Sequence, residues 1–212
     1  MMQKAVRLDP KTRDLVALAA AVAQGDEPDI RDRLRAARAS GVPAEWVEEL
    51  LLQSILMCGY PRALIAFGLW RSQGWGTVPA DDPGTRYEDH PLWAERGERT
   101  CAAVYGDNYR RLRDAIRDLH PAVDAWMITE GYGRTIGRPG LDLVRRELCT
   151  VVQCAILDAP RQLHSHLRGA LNVGAAPDEV EAALSVVNAM LSFDQWKRVK
   201  ALWKTIREGW EG

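Results

Sequence analysis

RASGVPAEWVEELL (residues 38–51) and LNVGAAPDEVEAAL (residues 171–184) decide the fold. Each places a glycine where one helix stops, then a proline and acidic residues where the next begins. Beyond the second turn, apolar residues return at three- and four-residue spacing, at Val180, Ala183, Leu184, Val187 and Leu191. The same spacing runs through almost the whole chain, and alternating β-branched runs are missing. The pattern predicts an all-α protein.

The two turns are related by more than punctuation, because residues 13–70 align with residues 146–203 without a gap at an offset of 133. Twelve of the 58 pairs are identical, among them Arg13 with Arg146, Leu34 with Leu167, Arg35 with Arg168, Gly41 with Gly174, and Leu69-Trp70 with Leu202-Trp203. The identities fall on helix stops and core-facing positions, where a shared fold would put them. Each half reads as the same helical hairpin with flanking helices, and two such repeats are expected to pack about a pseudo-twofold axis. The expected division is an N-terminal repeat over 1–73, a connector over 74–91 (GWGTVPADDPGTRYEDHP) and a C-terminal part over 92–212. DNYRRLRDAIRDL (107–119) reads as a helix capped by its own Asp107.

With 212 residues, 47% of them hydrophobic, the chain can bury an ordinary core. Its net charge of −1 creates no overall field toward nucleic acid or anionic membrane, so neither is expected as a partner. MMQKAVRLDPKTRDLV has no secretory signal, and uncharged apolar runs such as LVALAAAVA are too short to span a bilayer. A cytoplasmic protein is the expectation. There Cys58, Cys101, Cys149 and Cys154 would stay reduced, as buried small side chains.

RELCTVVQCAILDAPRQLHSH (146–166) holds the chemistry-bearing groups. On one helix His164 and His166 diverge by roughly 200°, and Cys149 and Cys154 by about 140°, so neither pair chelates a metal. No C-x-x-C supplies a thiol redox pair. Glu147 and His166 remain, on consecutive helices joined at Asp158-Ala159-Pro160 and therefore able to face each other across an antiparallel hairpin. The plainer alternative makes Glu147 a surface charge between Arg145 and Arg146, and His166 a hydrogen-bonded core histidine.

ERTCAAVYGDNYRR (98–111), together with TEGYGRTIGRPGLDLVRRELCTVVQCAILDAPRQLHSHLRGALNVGAAPDEVEAAL (129–184), resembles the carboxymuconolactone decarboxylase family, whose fold is shared with the alkylhydroperoxidase D-like proteins. GVPAEWVEELLLQSILMCGYPRALIAF (41–67) resembles the same family again, ending in its glycine-aromatic-proline segment. The resemblance places Glu147 and His166 at the family's glutamate and histidine. It also places Ala159 and Gln162 where the peroxidase branch has its two cysteines. The second repeat has LSFDQWKR instead of the closing segment, and Tyr132-Gly133-Arg134-Thr135-Ile136 instead of a tryptophan-rich run. The first repeat has Asp14 and Arg33 at the places of the glutamate and histidine.

The resemblance implies a cofactor-free lyase without a metal, acting on a small unsaturated or cyclic carboxylic acid through Glu147 and His166. Arg138 is the expected carboxylate anchor, Arg134 and Arg62 are second choices, and Tyr132 and Tyr60 are expected to touch substrate. One composite cavity is expected, with Glu147 and His166 facing the helix that begins near Tyr60. The rivals are a non-catalytic helical protein that binds a ligand or oligomerises, and a thiol peroxidase. Trp196, Val199, Trp203, Ile206 and Trp210 line one face of a strongly amphipathic last helix, expected to pack on the core or on a second subunit, and a homo-oligomer is anticipated.

Overall fold

The computed structural model of the chain describes residues 8–210, so the stretch MMQKAVR, part of the signal-peptide reading, lies outside the described residues. The first repeat is α1 (Pro10–Gln24), α2 (Glu27–Ala39) and α3 (Ala44–Ser72). Between the repeats stand α4 (His90–Tyr105), α5 (Tyr109–Leu119) and α6 (Pro121–Trp126), which runs on as a π-helix over Met127–Ile136. The second repeat is α7 (Leu143–Ile156), α8 (Pro160–Asn172), α9 (Pro177–Val187) and α10 (Phe193–Glu208). Among the described residues no strand occurs.

Element by element the repeats coincide at the offset seen in the sequence. Asp9 and Asp142 are equivalent, and each carboxylate caps its helix, accepting from the Thr12 and Arg145 amides at 3.0 Å. Gly41 and Gly174 both end a helix with φ of +77° and +103°, a region closed to most residues. α1 and α7 pack against each other as the central pair, and Arg145 Nε donates to Thr12 Oγ1 at 2.8 Å. Those two positions are equivalent, and equivalent positions meet only at a twofold axis. The fold is two related hairpins about a pseudo-twofold.

The repeats part company at one place. Gly59 takes φ +75° and ψ 167°, which only glycine adopts without strain, and kinks α3 ahead of Pro61. At the equivalent place the second repeat breaks altogether, and Ser192 caps a new helix by accepting from the Gln195 amide at 3.3 Å. The family-like closing segment is therefore a kink in one half and a capped break in the other. By length and composition alone α3 could cross a membrane, a test that the core helix of a globular protein also passes. That departs from the expectation drawn from uncharged runs, because Gln53 and Arg62 dilute the apolar stretch without ending the helix. Its inner side chains, Leu50, Leu51, Ala66 and Trp70, belong to the core.

In α10 the face predicted from spacing buries Val199, Trp203 and Ile206 against the same core, each worth roughly 1.5–3 kcal/mol of apolar burial. Asp107 does not cap α5. It sits in a 3₁₀ turn over Gly106–Asn108, and α5 starts with no side-chain cap. The connector is docked rather than loose, since Arg134 Nε donates to the Gly84 carbonyl at 2.7 Å.

α4 and the π-helix lie backbone to backbone. A Cβ on Gly133 would fall on the Trp93 carbonyl oxygen, and one on Gly97 on that of Ile128. This contact holds α4 over the second repeat, against α8.

Candidate active site

α7 buries Leu148, Val151, Val152 and Ala155 in the core and turns Glu147 toward α8. The chain then reverses at Asp158, the one described non-glycine residue at positive φ (+51°), and α8 runs back alongside. Glu147, 1% exposed, and His166, 8% exposed, meet there with Oε2 and Nδ1 2.8 Å apart. Burial excludes the plainer reading of Glu147 as a surface charge. A carboxylate only accepts, so Nδ1–H donates, and Nε2 is left with its lone pair. Among the described residues Nε2 has no hydrogen-bond partner, and it is not one of the fully buried unpartnered atoms, so it keeps contact with solvent. This is the arrangement of an oriented imidazole with one nitrogen held and the other free to exchange a proton.

Space for the carboxylate comes from Gly169, where a Cβ would stand 2.6 Å from Oε2. Tyr105, from the end of α4, meets the His166 ring edge-on with centroids 6.4 Å apart, and Tyr132 from the π-helix meets Tyr105 at 6.1 Å. Burial pushes the Tyr105 hydroxyl up to about 12, with the Glu147 charge adding to it, and drives Tyr132 well above its ordinary value. Both phenols are neutral donors at physiological pH. Burial likewise raises the Cys101 and Cys154 thiols to about 12 and Cys58 to about 11, and lifts Cys149 further. None of the four is poised as a thiolate nucleophile.

The expected substrate arginines are elsewhere and occupied. Arg138 donates to both oxygens of Glu49 at 2.9 and 3.1 Å and clamps Asp82 with two bonds of 2.8 Å, which holds the Asp82 carboxyl below the usual range. Arg134 spans the Gly84 carbonyl and Glu130, each at 2.7 Å, and lies over the Trp93 ring at 5.1 Å. Arg62 donates to the Ala23 carbonyl. Tyr60, 65% exposed, shares with Arg134 and Arg138 a groove of about 870 Å³ along α3. Glu147 and His166 do not line that groove, so the single composite cavity is not what forms. The kinked α3 carries Tyr60 outward, whereas the pair faces α4.

Tyr105 was missed by sequence reasoning. Its only signal is an aromatic residue just before the Gly106 helix stop, and nothing in the sequence ties it to His166, 61 positions on.

A duplicated all-α hairpin that buries a glutamate against a histidine, the imidazole half free, defines the class. The family model for the carboxymuconolactone decarboxylase family matches residues 1–72 and 121–205, most of the chain in two segments, and the chain belongs to that family. α4 and α5 fall between the segments, so the likeness read in ERTCAAVYGDNYRR lies outside the match. A comparison with the curated proteins finds no match.

Proposed function

We propose that the chain is a cofactor-free lyase of the decarboxylase kind, acting on a small unsaturated or cyclic carboxylic acid. One observation carries the reading: the buried Glu147–His166 hydrogen bond with Nε2 left free. Glu147 fixes the imidazole by its Nδ1–H and stabilises the imidazolium. When the bond between the substrate and its carboxylate carbon breaks, carbon dioxide leaves and the electron pair stays on carbon. His166 takes up a proton from solvent at Nε2 and delivers it to that carbon, which returns the imidazole to its neutral form. The neutral Tyr105 and Tyr132 set apolar ring surface beside His166, and a poorly solvated carboxylate is lost more readily than a hydrated one. Arg138 and Arg134 hold the connector and the π-helix in place in this reading, and neither binds substrate. The protonated thiols give no support to the peroxidase alternative.

Proton exchange at carbon tests the reading without a known substrate. In D₂O the protein should catalyse deuterium incorporation next to the carboxylate of an unsaturated acid from a small panel. His166→Ala should abolish it with the fold intact, and Glu147→Gln should reduce it. Exchange that persists undiminished in His166→Ala defeats the proposal.

A further inference from the structure

The outer faces of α2 and α8 are equivalent under the repeat, and each lines a groove rich in cations. On α2 the cations have partners: Arg31 lies 3.9 Å from Glu27, and Arg35 lies 2.8 Å from Asp32. On α8 the same places carry His164 and Arg168, but the two carboxylate places carry Pro160 and Ser165. Among the described residues Arg168 makes no ion pair although it is half-buried, and Arg111 of α5, across the same groove, makes none either. A partly desolvated guanidinium without a counter-charge is unfavourable until an anion arrives.

The groove encloses about 620 Å³, within the range of small-molecule sites. Val104, Leu112 and Ala115 give it an apolar wall, and among the described residues no carboxylate lines it. Tyr105 also lines it, and its ring is the one that packs on His166.

We infer that this groove between α8 and α4–α5 binds a small organic acid, with the carboxylate held by Arg168 and Arg111 and the apolar body along Val104 and Leu112. Two guanidinium forks offer parallel hydrogen bonds to one carboxylate. Binding stands independently of the lyase reading. Only turnover of the bound acid rests on that reading, since Glu147 and His166 do not line this groove and Tyr105 is the lining residue that touches His166.

Binding is tested with benzoate and maleate as probes, benzamide as the neutral counterpart of benzoate, and inorganic phosphate. Titration followed by NMR should show saturable shifts of the His166 imidazole and the Tyr105 ring with the carboxylates, and none with benzamide. Arg168→Gln and Arg111→Gln should each weaken binding at least about tenfold. Should Arg168→Gln fail to fold, the exposed Arg111 carries the test alone. No saturable binding of either acid, equal binding of benzamide, preference for phosphate, or affinity unchanged in both variants overturns the inference. His166→Ala separates the two readings, since it should keep benzoate affinity while losing deuterium exchange. Exchange that persists there, with benzoate still bound, sinks the lyase and leaves the groove standing.

Discussion

Asp14 and Arg33 in the first repeat occupy the places that Glu147 and His166 occupy in the second, and the two pairs have opposite fates. Asp14 accepts from its neighbour Arg13 at 3.0 Å, and Arg33 pairs with Asp29 one turn away at 3.1 Å. Neither meets the other. Glu147 and His166 ignore their neighbours along the helix and meet across the hairpin. The α1–α2 and α7–α8 hairpins share their helix bounds to within a residue at the offset of 133, so the hairpin backbone does not account for the difference. The cover does: among the described residues α2 contacts only α1 and α3 extensively, whereas α8 also lies under α4. In the open half the half-buried Asp14 and Arg33 reach solvent and settle into pairs with neighbours on their own helices. In the covered half, a buried carboxylate has to find a hydrogen-bonded partner. The insertion between the repeats, more than the repeats themselves, makes a site out of a hairpin.

The comparison is broken most directly at the pair itself. Removing the imidazole with His166→Ala should cost about 10²–10⁴ in exchange rate, the usual worth of a positioned general acid. Arg33→Ala at the equivalent place should leave the rate unchanged. Equal losses in the two variants would mean that the halves do not differ in chemistry.

The cover is tested next. Gly133→Ala pushes a methyl group into the Trp93 carbonyl and has to part α4 from the π-helix, at an expected cost of about 3 kcal/mol or more. Gly131→Ala, in the same segment but with its nearest neighbour 3.8 Å away, should cost far less. Urea midpoints compare the two. If they fall together, the close approach of α4 is not what holds the cover down.

The repeats were legible because a helix stop is a local event. Gly41 and Gly174 act within a few residues of themselves, so periodicity and punctuation mark them without knowledge of the fold. The meeting of Glu147 and His166 was half legible, since consecutive helices must pack antiparallel but spacing alone does not orient side chains. The fate of Arg138 was not legible at all. Its partners Glu49 and Asp82 lie 89 and 56 positions away, and no local pattern links them. The final helix shows the middle case, in which spacing identified the apolar face and the structure supplied the core it covers.

The insertion also carries its own acid-sensitive joint. Arg113 of α5 hydrogen-bonds Asp124 of α6, with one bond of 3.0 Å, and Arg117 adds another of 3.1 Å. The Arg113 hydrogen bond holds the buried Asp124 carboxyl below its usual range. A depressed carboxyl contributes stability above the unfolded value, near pH 3.9, and that contribution is lost as pH falls through the lower folded value. Asp124→Asn should therefore cost about 1–3 kcal/mol at neutral pH and flatten the acid limb of the stability curve below about pH 4. A limb equally steep in the variant would assign the acid sensitivity to other carboxylates.

The smallest effect comes from making the open half imitate the covered one. Asp32 stands where the second repeat has Ser165, so Asp32→Ser frees Arg35 as Arg168 is free. An exposed pair of this kind is worth at most about 0.5 kcal/mol, and stability should hardly move. Benzoate titration is the informative readout. Without α4 and α5 above it, the freed Arg35 stays in water beside Arg31 and Arg38, where exposed guanidinium groups compete poorly with solvent for a carboxylate, and no saturable binding should appear. If binding does appear, an unpaired arginine on this helix face suffices by itself, and the insertion loses its claim to have made the groove.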